Sequence, residues 1–348
     1  MVPQKPDIDP SLITECDFQP VAQTQISEYT CNPIFTPKDE GTELGSVGFH
    51  VTEVLGHPFY QIWYTQYADN DSYTVRYAAS DDGIDWVESS SNPVLTAQQG
   101  DWDQDALGAQ EVFWDSAAQE YVMVYQGISF GADEYDYGTW GLGVARSADG
   151  AVWNKDASNP AIDFLNDLSD LRPCWPLTAY ATPEGYRGYI SASTVGSNAA
   201  CQMYAISSDD RSSWEIATET PVLYSGFSYD RLGFIDAAVV PWFDEDTQEQ
   251  VLYMFYVGFA DQEVLGNYSQ AVNTTLNLAR SYDNGLSWEK DPDNPIPINQ
   301  STPGEISSVG ASVVGSRMHL WVADSYEGES GIGYFYYQPN ITQHAEEQ

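Results

Sequence analysis

Five positions in this 348-residue chain recur at nearly constant distance from a proline, each with an acid five to seven residues ahead of it. Trp175, Asp236 and Gly310 lie fifteen residues beyond Pro160, Pro221 and Pro295, and His50 and Glu111 lie seventeen and eighteen beyond Pro33 and Pro93. The preceding acids are Glu43, Asp105, Asp170, Asp230 and Glu305. Glu111 and Asp236 are themselves carboxylates. Carboxyl groups gathered from distant segments can divide general acid and general base work between them. Burial or a neighbouring charge raises the pKa of one, so that it keeps its proton near neutral pH. The bland reading of the acid register is a solvated face, because the chain carries 52 Asp plus Glu against 12 Lys plus Arg.

Such residues work only if the chain brings them together, and an internal repeat supplies the means. Trp86, Trp153, Trp214 and Trp288 each stand seven residues before a proline, namely Pro93, Pro160, Pro221 and Pro295. Each ends a version of one motif: Ser80-Asp-Asp-Gly-Ile-Asp-Trp86, Ser147-Ala-Asp-Gly-Ala-Val-Trp153, Ser208-Asp-Asp-Arg-Ser-Ser-Trp214 and Ser281-Tyr-Asp-Asn-Gly-Leu-Ser-Trp288. Ahead of each motif run short stretches rich in aromatic and β-branched residues, bounded by Gly, Asp and Asn, which are strand signals. The motif itself reads as a hairpin turn, with Asp capping backbone N–H groups, Gly taking positive φ and Trp packing between neighbouring units.

Each unit then has four strands, the outermost carrying the Trp, and the fold class is all-β: a β-propeller of four-stranded antiparallel blades. Asn32-Pro33, Asn92-Pro93, Asn159-Pro160 and Asn294-Pro295, with Thr220-Pro221, mark five blades in a single domain spanning 1–348, flanked by flexible ends at 1–15 and 339–348. The last unit lacks its Trp strand. The N-terminal segment Thr24–Tyr29 is expected to supply it, lying beside Gly331–Tyr337 and closing the ring against an open edge. In this frame the five spaced positions face the central channel, and the five acids ring one mouth.

A formal net charge of −40 argues against nucleic acid and against anionic membrane surfaces, because both recognise Lys and Arg. Acids spread along the whole chain point to a surface adapted to high salt, with divalent-cation binding as the alternative. Four cysteines at 16, 31, 174 and 201 have no C-x-x-C spacing. The simplest of their three connectivities is Cys16–Cys31 with Cys174–Cys201. Disulfides imply an oxidising compartment, hence a secreted, periplasmic or cell-surface protein whose leader is absent from this sequence. No apolar run of spanning length is present, so no membrane insertion is expected.

The five blades, the Ser-x-Asp-Gly-x-x-Trp turns, the Asn-Pro steps and Gly100-Asp-Trp-Asp103 before an inner strand resemble the five-bladed propeller glycosidases. These are glycoside hydrolase families 32, 43, 62, 68 and 117, with family 130 phosphorylases alongside. The resemblance covers nearly the whole chain and implies a carbohydrate substrate, no required cofactor and, in some members, a calcium ion near a channel histidine. It implies two carboxylates across the channel, one acid and one base or nucleophile, whose separation sets inversion or retention. Asp105, Glu111 and Asp236 are the catalytic candidates. His50, Trp102, Trp175, Arg172, Asp230, Arg231 and Glu305 are the substrate-binding candidates. Trp102 and Trp175 would stack on sugar faces, with a place in a blade core as the alternative for Trp175. Arg172 and Arg231 would clamp an acidic sugar, or else neutralise the acids beside them. His50 would approach a ligand, or else serve as a hydrogen-bonded structural residue. The chain has no Asn-Asp-Pro-Asn-Gly or Arg-Asp-Pro element of family 32, which leaves a non-catalytic glycan- or protein-binding propeller as the competing reading. A sialidase is the minor one, since the Ser281–Trp288 copy also matches an Asp-box.

The charge balance generates the first prediction. Added potassium chloride, with a chelator present, should raise the melting temperature as the Debye length shrinks from about 10 Å at 0.1 M to about 3 Å at 1 M. A melting temperature that is flat or falling over that range would remove the salt-adaptation reading.

Overall fold

Alternating aromatic and β-branched strands leave each sheet with apolar faces that it cannot bury alone. The computed structural model describes residues 16–21, 25–37, 43–67, 73–130, 137–168, 170–195, 200–244, 249–261, 272–298, 306–326 and 329–339. Its strands begin with β1 (Phe18–Pro20) and β2 (Ile26–Tyr29). Blade 1 holds β3 (Glu43–Val54), β4 (His57–Tyr67), β5 (Tyr73–Ser80) and β6 (Val87–Glu88), with β7 (Leu95–Thr96) also pairing β5. Blade 2 holds β8 (Ala106–Asp115), β9 (Glu120–Phe130), β10 (Tyr137–Ser147) and β11 (Asn154–Lys155), with β12 (Ile162–Asp163) on β10. Blade 3 is β13 (Leu171–Ala181), β14 (Tyr186–Thr194), β15 (Gln202–Ser208) and β16 (Glu215–Ile216). Blade 4 is β17 (Gly233–Asp244), β18 (Glu249–Asp261), β19 (Val272–Ser281) and β20 (Glu289–Lys290). Blade 5 contains β21 (Ser308–Val314), β22 (Arg317–Tyr326) and β23 (Glu329–Tyr337).

All pairings within the blades are antiparallel, and the described residues contain no helix. The five-bladed propeller expected from the repeat is the fold. The N-terminal β2 lies as the fourth strand of blade 5, with Ile26, Ser27 and Glu28 opposite Tyr337, Tyr336 and Phe335, and β1 adds a fifth. Thr24, the expected terminal segment 1–15 and all of the expected segment 339–348 except the buried Pro339 lie outside the described residues. The inner strands β3, β8, β13, β17 and β21 touch in a closed circuit, each meeting the next and β21 meeting β3.

The hydrophobic core is five layers rather than one mass, and each layer lies between two neighbouring blades. The layer between blades 5 and 1 stacks Phe49 on Trp321 at 4.3 Å, and Trp321 on Tyr334 at 5.2 Å. The repeated tryptophans sit in these layers, with Trp153 edge-on to Trp63 and Trp288 edge-on to Tyr189 in the preceding blade. They precede the outer strands rather than lying in them, since β6, β11, β16 and β20 are two-residue strands beginning after the Trp.

The motif is a turn, as its residues imply. In the first copy Ser80 Oγ accepts the Gly83 N–H and Asp82 Oδ1 accepts the Ile84 and Asp85 N–H groups, while Gly83 takes φ +76°. The copies at Ser147 and Ser281 repeat this serine-to-glycine bond, and Asp149, Asp210 and Asp283 repeat the aspartate cap. Neighbouring blades hold the turns from outside: Trp63 donates its indole N–H to the Gly150 carbonyl and Tyr189 its hydroxyl to that of Gly285.

The Asn-Pro steps have a physical role that spacing did not reveal. Each asparagine amide behaves as one more residue of a strand, pairing both ways with a third-strand backbone. Asn159 Oδ1 accepts the Val144 N–H at 2.9 Å and its Nδ2 donates to the Val144 carbonyl at 2.8 Å. Asn92 does the same on Tyr77, Asn294 on Leu278 and Asn32 on Tyr334. All four Asn-Pro bonds are cis. Asn32 thus ties the N-terminal segment to β23.

Both expected disulfides are present, Cys16–Cys31 with a Cα–Cα distance of 5.5 Å and Cys174–Cys201 with 6.5 Å. The first brackets the β1–β2 hairpin. The second ties inner strand β13 to the residue before β15.

An asparagine that completes a strand edge should be costly to truncate. Asn159→Ala leaves the Val144 N–H without its partner and its C=O with the Asp156 N–H alone, and urea unfolding should report a loss of about 1–3 kcal/mol. Unchanged stability would mean that water replaces the amide.

Candidate active site

Four of the five inner strands carry register irregularities. Their ladders shift register between Leu44 and Val47 in β3, Gly108 and Gln110 in β8, Pro176 and Thr178 in β13, and Phe234 and Asp236 in β17. A bulge re-aims the side chains that follow it. In each strand the residue at or just after the shift joins a belt across the channel: Val47, Glu111, Thr178 and Asp236, with Ser308 from β21.

Hydrogen bonds link this belt between blades. Thr178 Oγ1 donates to Glu111 Oε2 at 3.0 Å, joining blade 3 to blade 2, and the Val112 N–H donates to Glu111 Oε1 at 3.1 Å. Ser308 Oγ donates to Asp236 Oδ2, and the Val309 N–H reaches the same oxygen at 2.9 Å, joining blade 5 to blade 4. The Val47 N–H in turn donates to Ser308 Oγ at 2.9 Å, bringing in blade 1.

Glu111 on β8 of blade 2 and Asp236 on β17 of blade 4 both have shifted pKa values, and the Asp236 charge is one of the causes acting on Glu111. Asp236 is 5 % exposed and Glu111 is half-buried. Burial pushes the Asp236 carboxyl up to about 7, against the pull of its Ser308, Val309 and Ala237 donors. Burial and then the Asp236 charge hold Glu111 well above the usual carboxylate range, opposed by Thr178 and the Val112 amide. Both carboxyls are thus shifted upward by burial, and each shift is moderated by its donors.

Of the residues singled out by spacing, Glu111 and Asp236 both stand in the hydrogen-bonded belt. Of the acids expected at one mouth, Asp230 is withdrawn from it. Asp230 is fully buried within blade 4, where it is bonded to Lys290 and accepts from the Tyr256 hydroxyl and the Gly226 and Phe227 amides. Asp103 repeats this in blade 2, with Lys155 at 2.6 Å and the Tyr125 hydroxyl at 3.0 Å. Asp105 caps β9, accepting the Phe130 N–H at 2.7 Å. Asp170, Arg172 and Arg231 are exposed. Glu305 and the Glu43 side chain lie outside the described residues.

Trp102 is half-buried in the layer between blades 1 and 2, so close to the backbone that a Cβ on Gly127 would lie 2.4 Å, and one on Gly143 2.7 Å, from its ring. Trp175 sits between blades 3 and 4, edge-on to Phe259 at 5.4 Å. His50 lies three residues beyond Val47 on β3, edge-on to Tyr121 at 5.6 Å, and burial lowers its pKa to about 4, which leaves it neutral at neutral pH. Gly310 meets the Phe49 ring where a side chain would clash. Among the described residues, no group of three or more His, Cys, Asp or Glu side chains is arranged to hold a metal ion.

Spacing missed Ser308 and Thr178. Ser308 lies two residues before Gly310, on the same side of its strand. Thr178 lies three beyond Trp175, because β13 carries two register shifts that a count from Pro160 does not include.

No protein-family model and no curated protein matches this chain. Solved structures do. A glycoside hydrolase aligns with TM-score 0.65 at 15% identity, covering 88% of this chain and 90% of its own. The β-1,2-mannobiose phosphorylase from Listeria innocua, solved with β-1,2-mannobiose, aligns with TM-score 0.61 at 14% identity over 90% of this chain and 96% of its own. The GH32 β-fructofuranosidase of Bombyx mori aligns with TM-score 0.58 at 13% identity over 83% of this chain, which spans 59% of that protein. At these identities the shared property is the propeller fold.

The raised Asp236 pKa has a definite sign in stability. A carboxyl at 3.8 unfolded and about 7 folded binds more protons when folded, so its contribution is full below pH 4 and is lost as pH rises through 7. Asp236→Asn should remove a loss of order 4 kcal/mol over that window. Denaturant titrations of both proteins at pH 4, 6 and 8 would show it. Parallel pH profiles for the two proteins would mean that Asp236 does not titrate there.

Proposed function

We propose that this protein is an exported glycosidase acting on a plant or algal glycan, with the scissile bond held at the Glu111–Asp236 pair. What supports the reading is that two inner-strand carboxyls, each bonded to a hydroxyl of the next blade, are both pushed up by burial. Glycoside hydrolysis needs such a pair, one protonated and one ionised. Glu111, pushed up by burial and by the Asp236 charge, is assigned as the acid that protonates the leaving oxygen. Asp236, oriented by Ser308 and the Val309 amide, is assigned as the base or nucleophile.

The likeness of fold to a glycoside hydrolase and a mannobiose phosphorylase supports a carbohydrate ligand. Two disulfides support export to an oxidising compartment. The excess of acids over cations supports a saline setting, and an activity screen belongs in high salt with calcium added.

The test is a glycan panel. Glu111→Gln and Asp236→Asn should each lower turnover about 10²–10⁴-fold, because each keeps its shape and loses its proton chemistry. Wild-type turnover in both variants would remove the pair from catalysis. Binding without cleavage on the whole panel would replace the enzyme with a glycan-binding propeller.

A further inference from the structure

The belt contains a hydroxyl whose hydrogen bonding is fully determined. Ser308 is completely buried. Its oxygen has one proton to give and two lone pairs to accept with. The Val47 N–H, a fixed donor, points at that oxygen from 2.9 Å. An amide cannot accept in return, so the serine proton goes to the other neighbour at hydrogen-bonding distance, Asp236 Oδ2. The same carboxylate oxygen takes the Val309 N–H. Both lone-pair directions of Oδ2 are then filled, and a proton arriving at Asp236 has Oδ1 as its place.

We propose that Ser308 is the positioning residue for Asp236, aimed by the Val47 amide, and that Oδ1 is the oxygen through which Asp236 exchanges its proton. Three blades take part: blade 1 gives the amide, blade 5 the hydroxyl and blade 4 the carboxylate. The seam between the last blade and the first is thereby wired to the site. A slip of β21 against β3 would turn the hydroxyl away and release Oδ2. The catalytic meaning rests on the glycosidase reading, but the wiring does not.

Ionisable groups on the surrounding strands leave Glu111 as the charge coupled to Asp236. Strand β21 has none. On β13, Tyr180 bonds Tyr189, and Arg172 is exposed. On β18, Tyr256 bonds Asp230, and Tyr253 faces the Arg280 guanidinium. On β14, Arg187 reaches the Asn284 carbonyl and Tyr186 bonds Asp115. Tyr204 on β15 packs in the layer between blades 2 and 3. His50 on β3 lies against Tyr121.

The experiment is a titration of the Asp236 carboxyl in substrate-free protein, by carbon-13 NMR with Asp236→Asn as the assignment control. Ser308→Ala removes one donor to the carboxylate, and the titration should move up by about one pH unit. Ser308→Cys keeps the shape with a weaker donor and should fall between. Ser308→Thr restores the hydroxyl and should return toward the wild-type value. A purely structural serine would lower stability and leave the titration where it was, and that result in a folded Ser308→Ala overturns the proposal. If Ser308→Ala does not fold, Ser308→Cys decides: an unmoved titration overturns it and an upward shift supports it. Where a substrate is found, the acid limb of kcat/KM should move with the titration. A moved titration in a protein that cleaves no glycan would sink the glycosidase reading and leave the role of Ser308 standing.

Discussion

No blade of this protein can bury its faces without a neighbour, and the other features follow from that constraint. Each apolar layer is shared by two blades, so stability is a property of contacts between successive repeats. Aromatic rings dominate the layers because they cover large areas and stack with defined geometry. The stack of Phe49, Trp321 and Tyr334 crosses the seam between last and first blades, where Gly310 leaves room for the Phe49 ring. Where blade 5 has no repeated tryptophan, Ile26 from the N-terminal strand fills the layer against blade 4.

Face-to-face packing drives five inner strands toward one axis, and there the backbone departs from regular pairing. The register shifts lie in β3, β8, β13 and β17, and residues at or beside them, with Ser308 of β21, form the belt. Five apolar layers surround the inner strands, and burial raises both carboxyls. Desolvation, not a local motif, gives Glu111 and Asp236 their unusual proton affinities. Some of the donors that moderate it, Thr178 for Glu111 and Ser308 with Val309 for Asp236, come from other blades, so the site depends on assembly of the ring.

Several of the scarce cations of this acidic chain neutralise buried or half-buried carboxylates. Lys155 and Lys290 neutralise the fully buried Asp103 and Asp230, and Arg146, Arg211 and Arg280 pair with Glu120 and Asp156, Asp115 and Asp291. A buried carboxylate left without its cation would be strongly disfavoured, whereas solvated acids repel one another only through screened water. Interior pairing therefore takes precedence, and the surface keeps the excess negative charge.

The chain by itself determined the blade count, the Ser-x-Asp-Gly turns, the position of Ile26–Tyr29 beside β23 and both disulfides. These are encoded in residues close in sequence, whose turn chemistry and alternation repeat at a readable period. It also placed Glu111 and Asp236 on inner strands. It did not separate them from Asp105 and Asp230, because a carboxylate facing the channel and one buried on a lysine inside a blade look alike in a string of letters. Nor did it find Ser308 and Thr178, whose hydroxyls matter only because register shifts bring them to carboxylates from other blades. Where the strands bulge, and which side chains then meet across the axis, is fixed by the packing of five sheets around one channel. Only the tertiary structure decides that.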